Sequence, residues 1–500
     1  MSIKRLHYRA GHPVLVLVFG LFAIGATAAE WSREASISAG GVYTDNVELD
    51  DNDKEGEFIA TATPRISLEG EANRASLDLD AAVQFNDLSG GRTDNVNPRL
   101  DADGEVELVQ SHLFLEADAS AYQAAVDPFS ATGGSSLNRS GNSLTTYNYG
   151  ITPVFRTRLA DFANLELRYR YDEQRFGGER SNELDESTQE TTSFSLNSGE
   201  LFSRFTWSLS GDIREIEFSE DREITDPLLA NRNDDIERKT LRFSPSYRLS
   251  RKWQLTGTIG KEWNDFTTGD RETDDDFWNA GFVWTPNLRT TVRAGYGERF
   301  FGTTPYAEIE HRTRRTTLSL GYSRDLTDTR NLRRRDDVIP DLDPFGDPID
   351  PITGEPLPLD AFFTSRANSV VVNERWDATF TVKGNRTTIR LSARQSNQSR
   401  RDLIGEDSSF RFLQASVERS LSARLNANAR ISLDERERED TQTGETESSD
   451  ILRISFGANY ELGPRTRVNV LYTHSRADQG LFSREYQENR ISVSLTYQFL

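Results

Sequence analysis

Between positions 164 and 172 the chain reads NLELRYRYD, with Glu166, Arg168, Arg170 and Asp172 at every second place. Leu165, Leu167, Tyr169 and Tyr171 fall between them. In an extended strand this puts an ionic row on one face and an apolar row on the other. The same alternation gives Arg214 beside Asp212, Arg453 in LRISF, and Arg293, Arg299, Arg390, Arg394, Arg430, Arg436 and Asp434 the same facing. Guanidinium groups present a planar fork of donors suited to hydroxyls, carboxylates and phosphates. Rows of fixed charge around a pore set which solutes pass. The chemistry open to these residues is therefore that of a charged lining, or of a cross-strand ionic network that stiffens a wide wall. The two roles are compatible.

Covalent chemistry finds little support. The chain has no cysteine, which removes disulfides, thiol catalysis and thiolate metal sites. His112 and His311 lie at short turns, and His474 shares the parity of Val470 and Tyr472, so none stands beside a nucleophile on the charged face. GYGERFFG (295–302) has a Gly-x-Gly but no following helix, so its glycines read as relief of crowding in a strand. DLDPFGD (341–347) fails the calcium-loop pattern at Phe345, and no metal or other cofactor is expected beyond weak divalent-ion binding by acidic loops. A net charge of −21 argues against nucleic acid as a partner. Lysine is confined to positions 4, 54, 239, 252, 261 and 383, so the positive charge is almost all arginine.

The elements that would position these rows are strands. Residues 1–28 read as a cleaved secretory signal, with Lys4, Arg5 and Arg9, then an apolar run, then Ala26-Thr27-Ala28. From Glu34 onward period-two segments follow one another, as in TTIRLSAR and RISVSLTYQF. Their connections alternate in length. Ten short turns lie at 71–74, 109–112, 159–162, 199–203, 249–253, 285–289, 311–315, 383–386, 421–424 and 462–465. Longer acidic or Gly-rich loops separate them, with GTTP (302–305) the short exception. Short turns at one end and long loops at the other mark an outer-membrane barrel. Ten short turns imply twenty strands, and the first and last bring the expectation to a single antiparallel barrel of about twenty-two over 29–500. The mean hydropathy of −0.64 is no objection, because barrel strands average their two faces. The first strand starts so soon after the signal that no plug domain is expected. A barrel this wide then needs loops or a partner to close it.

One connection stands apart. The segment 331–366 is the longest loop, and its stretch IPDLDPFGDPIDPITGEPLPLD (339–360) holds six of the sixteen prolines. That density excludes a ladder strand there. It reads either as a solvated surface loop or as a lid over the pore, with Asp341, Asp343, Phe345, Asp347 and Asp350 as the residues to watch.

VYTDNV (42–47), GYGERFFG (295–302) and HRTRRTTLSLGYSRD (311–325) resemble the PEP-CTERM-system-associated outer-membrane β-barrel family, over most of the mature chain. These are scaffold motifs, and no functional residues carry over with them. The resemblance implies a Gram-negative outer membrane, contact with lipid and lipopolysaccharide, and a setting of exopolysaccharide assembly. A passive conduit for exopolysaccharide export, working with periplasmic export components, is the expectation. A general diffusion porin or a surface-attachment barrel is the alternative, and a barrel enzyme ranks last. The chain departs from one general barrel habit, since Phe499 is penultimate and Leu500 is last.

Overall fold

The computed structural model describes residues 30–88, 95–127, 129, 135, 137–139, 141–178, 181, 184–219, 235–266, 273–334, 341–345, 347–349, 370–400, 406–440, 446–479 and 485–499. The signal segment lies outside these residues. Strands that alternate apolar and polar residues can bury neither face alone, so they pair edge to edge and close on themselves. Twenty-two antiparallel strands form the wall, from Glu30–Thr44 to Tyr486–Gln498. A two-residue piece, Gly302–Thr303, folds back on Glu298–Arg299. Most wall strands run 12 to 18 residues, more than the roughly 9 to 11 needed to cross a bilayer. The surplus stands above the membrane at the long-loop end.

The first and last strands close the ring in register, from Ser36 opposite Gln498 to Thr44 opposite Arg490. Side chains bolt the same seam. Ser38 Oγ and Thr496 Oγ1 lie 2.8 Å apart, and Thr44 donates to Glu488 at 2.8 Å. Gly40 sits there because a Cβ would collide with the Val493 carbonyl oxygen and crowd Ser494. All ten short turns fall where the sequence spacing places them. Register shifts near Glu107, Trp284 and Glu461 are confined to that rim, where bulges commonly end a ladder.

The parity is fixed by closure. Leu167 and Tyr169 are 43% and 39% exposed on the outer surface. Trp253 and Trp284 stack 5.5 Å apart near the short-turn rim, as girdle aromatics do. Among the described residues no helix is long and apolar enough to span a membrane; this chain crosses with strands.

One sequence expectation needs correction and one needs refinement. The inner face is not polar throughout. Near the loop end it carries apolar patches: Val42 and Ile59 point inward and pack with Val47 and Leu137 from loops, and Ile451 packs with Leu49 and Tyr486. Proline density also does not exclude all ladder pairing within 339–360. Asp341–Leu342 and Pro348–Ile349 form a two-residue antiparallel ribbon. It is separate from the wall, so a missing proline N–H interrupts no barrel ladder.

Gly40→Val is expected to destabilise the barrel by about 1–3 kcal/mol, the cost of overpacking at a site that cannot relax. A lower temperature for conversion from the fast-migrating folded band to the slow unfolded band on a gel would show it. Unchanged heat modification would mean that the seam tolerates a side chain.

Candidate functional site in the lumen

The charged rows face the barrel interior and pair there. Arg168 reaches across the neighbouring strand Ser143–Leu159 to Glu116, at 2.7 and 2.9 Å, and also bonds Glu166 at 3.2 Å. Arg170 makes the same two-strand reach to Asp118, with bonds of 2.8 and 3.0 Å, and touches Asp172 at 3.1 Å. Gly150 on the intervening strand makes room for this: a Cβ there would lie 2.5 Å from Asp118 and 2.6 Å from Arg170. On the same principle the ring of Tyr306 lies over Gly295, and a Cβ at Gly297 would meet the Trp278 carbonyl oxygen, so the GYG glycines do relieve crowding.

The other arginines follow the pattern. Arg242 pairs with Asp212 at 2.8 Å and Arg293 with Glu308 at 2.8 Å. Arg299 bridges Glu262 and Asp325, each at 2.5 Å, and Arg394 bonds Asp377 at 2.7 Å. Arg214 lies 3.9 Å from Asp328. Arg453 pairs with the buried Asp434 at 2.5 Å, and Arg436 is buried over the Phe410 ring. Arg390 stands in register with Thr381 and Ser416 on the same inner row, and Arg430 lines a cavity described below. Partly exposed pairs of this kind contribute less than about 1 kcal/mol each. They set the charge pattern of the lining more than the stability of the wall.

The acidic side of that pattern was legible but passed over. Asp78, Asp103 and Asp118 face one another across three adjoining strands, as do Asp80 with Asp101 and Glu105 with Glu116. The signal was acids at every second place in LDLD, LDADGEVE and LEAD. Arg65 at 2.8 Å and Arg99 bind Asp80 and offset part of the like-charge repulsion. Acids thus gather on one side of the closing seam, and Arg430, Arg453, Arg467 and Arg490 on the other. Among the described residues no cluster has the donors to hold a metal ion.

Loops enter the space these rows surround. The helix Thr329–Arg334 is capped by Asp328, whose Oδ1 accepts the Asn331 N–H at 2.8 Å. It carries Arg330 inward onto Asp172, with Ser187 Oγ at 2.8 Å and Gln189 Oε1 at 3.2 Å. Arg330 and Asp172 are both fully buried. Removing either would strand the other charge, at about 3–5 kcal/mol. From another loop, Arg139 bonds Glu57 at 2.9 Å and Asn138 bonds Glu488 at 2.9 Å.

The proline-rich loop sends in a hairpin tip. Asp343 Oδ1 accepts the N–H groups of Phe345 and Asp347 at 2.8 and 2.9 Å, which folds 343–347 into a tight turn. The Phe345 carbonyl accepts from Gln84 at 2.8 Å, and Asp347 Oδ2 accepts from Arg490 at 2.5 Å. Of the five loop residues singled out from sequence, Asp343, Phe345 and Asp347 are thus placed inside the barrel. Asp341 begins the ribbon, and Asp350 lies outside the described residues. Burial, reinforced by the Asp347 carboxylate, pushes the Asp343 carboxyl up to about 7.

No family model and no curated protein matches this chain. Solved structures do. The FrpB iron transporter from Neisseria meningitidis is similar at 10% identity and TM-score 0.57, over 94% of this chain and 83% of that one. A ferric enterobactin receptor (PfeA) from Pseudomonas aeruginosa is similar at 13% identity and TM-score 0.54, over 95% and 81%. The siderophore receptor PirA from Acinetobacter baumannii follows at 11% and 0.52, over 94% and 81%. At such identities the likeness is one of fold. With the closed wall it makes this chain an integral β-barrel of the outer-membrane type.

Two outcomes test this arrangement. Leu167→Arg places a charge on the lipid face, at a cost of about 2–4 kcal/mol near the midplane, and should impair membrane assembly, while Arg168→Ser should leave the folded band intact. The reverse would invert the faces. The second concerns pH. Because the folded value of Asp343 is raised, the seated hairpin favours the protonated acid, so this stabilisation is present at low pH and is lost as pH rises through about 7. Thiol labelling of Phe345→Cys should therefore accelerate between roughly pH 4 and 7, and level off above that, beyond the rise seen in an Asp343→Asn background. Equal profiles in the two backgrounds would refute the titration.

Proposed function

We propose that the chain is a passive conduit through the outer membrane, closed at rest by the inward-folded loops, which passes a polar exopolysaccharide outward. The observation that carries this reading is the hairpin tip held inside a charged lumen by Gln84 and Arg490. A barrel of twenty-two strands is wide enough to leak unless its lumen is filled. Here loops of the same chain take that place, and a separate plug domain is not required by the reading. The lining supplies many guanidinium, carboxylate and amide groups that can exchange hydrogen bonds with a hydroxyl-rich polymer. On this reading no covalent chemistry is needed, and driving force would come from polymer synthesis or periplasmic components. The export direction rests on the family resemblance of the sequence.

A second reading is favoured by the fold. The similar structures are an iron transporter and siderophore receptors, so the loop-filled mouth could take up a ligand from outside. A general porin is the simplest alternative, and a barrel that anchors secreted polymer is another. Conductance in planar bilayers separates them. The intact chain should be closed most of the time, and deletion of 339–360 should raise the open fraction by about tenfold or more, the effect of losing some 1.4 kcal/mol of closure. Steady conduction by the intact chain would support a porin. A deletion strain that secretes normal polymer and fails only in uptake would support the receptor reading.

A further inference from the structure

Beneath the hairpin tip lies a cavity of about 300 Å³, at the small end of the range of ligand pockets. Asp343, Phe345 and Asp347 form its roof. Its wall comes from the last five strands. Arg430, Arg453, Arg467 and Arg490 reach it, with Asn459 and Asn469 toward the short-turn rim and the ring of Phe412 on one side. Arg467 lies 3.7 Å from Glu461, and Arg490 bonds Asp347. Of the neighbouring acids, Asp434 is held by Arg453, and Glu488 is held by Thr44 and Asn138 at 2.8 and 2.9 Å.

The contact between Arg490 and Asp347 is poorly matched for its burial. Their side chains are 5% and 7% exposed. A guanidinium and a carboxylate of full complementarity share two parallel hydrogen bonds. Here one bond forms, from Nη2 to Oδ2. The Nε and Nη1 of Arg490 and the Oδ1 of Asp347 are buried and have no hydrogen-bond partner among the described residues. Unsatisfied polar atoms at this depth are costly, so the pair is a weak latch. A carboxylate arriving from the cavity that displaces Asp347 from Nη2 could take a full two-donor edge of Arg490, Nε with Nη2 or Nη1 with Nη2, whereas Asp347, fixed in the turn, takes Nη2 alone.

We propose that this cavity binds the carboxylate of an acidic saccharide, and that Asp347 occupies the position in cis until such a ligand displaces it. The inference deepens the conduit reading and rests on it for its biological sense. A uronic-acid unit fits the chemistry: its carboxylate meets Arg490, its hydroxyls meet Asn459, Asn469 and the remaining arginines, and its apolar ring face meets Phe412. Displacing Asp347 would release the tip from the last strand, leaving the Gln84 bond as its remaining hold among those described. The polymer would thus open its own path.

Binding in detergent tests this apart from transport. Full-length protein is titrated calorimetrically with trigalacturonate, with maltotriose and inorganic phosphate as controls. Asp347→Asn should tighten trigalacturonate binding at least about tenfold, because the internal competitor loses its charge. Arg490→Gln should weaken it by a similar factor, and Arg490→Lys, which keeps charge but loses the fork, should fall between them. Gel heat modification confirms that each variant is folded. Unchanged affinity in Asp347→Asn would overturn the proposal, as would equal binding of maltotriose or of phosphate, or no trigalacturonate binding by any folded variant. Normal binding together with a leaky, ungated intact channel would instead fault the conduit reading alone.

Discussion

Backbone closure is the constraint from which the rest follows. Within hydrocarbon an unpaired N–H or C=O has no water to turn to, so a sheet in a membrane must have no edge. Here that demand is met where the first strand pairs with the last, Ser36–Thr44 against Arg490–Gln498. Once the ring is closed, each strand's alternation has a fixed meaning. Leu167 and Tyr169 go to lipid, and Arg168 and Arg170 go inward. Closing twenty-two strands also creates a wide interior, and a wide interior must be occupied or it conducts.

Two kinds of polar contact meet that second demand. The exposed pairs along the wall, such as Arg293 with Glu308, are screened and individually weak. They give the lumen its division into an acidic side and an arginine side. The buried pairs are fewer, and they fix where the loops sit. Arg330 on Asp172 and Asp347 on Arg490 offer little net stability, because desolvation offsets the attraction, but each is costly to break by halves. Contacts of this kind specify position. They suit a segment that must rest in one place and still be able to leave it.

Much of the wall was legible in the sequence because its code is local. Period two needs only a few residues to declare itself, and every short turn was found from spacing alone. The acidic rows, such as Asp101 and Asp103, are equally local, with the same period-two spacing as the arginines. What could not be read was everything long-range. The bond from Gln84 to Phe345 joins residues 261 apart, and nothing near either announces the other. Inward apolar residues such as Val42 and Ile59 look like lipid-facing ones until loop residues Val47 and Leu137 are seen packed on them. Proline density described the loop's composition and not its destination, and so concealed the small ribbon that ends at Ile349.

The central claim is that the hairpin tip seated on Arg490 keeps the barrel closed. The chain has no cysteine of its own, so a clean tether can be introduced. Asp347→Cys and Arg490→Cys in one molecule, joined by a short cleavable thiol crosslinker, should give a channel that stays shut in a planar bilayer. Cleaving the linker should restore openings at once, with an open time at least about tenfold greater than in the tethered state. A tethered channel that conducts as freely as the cleaved one would contradict the account.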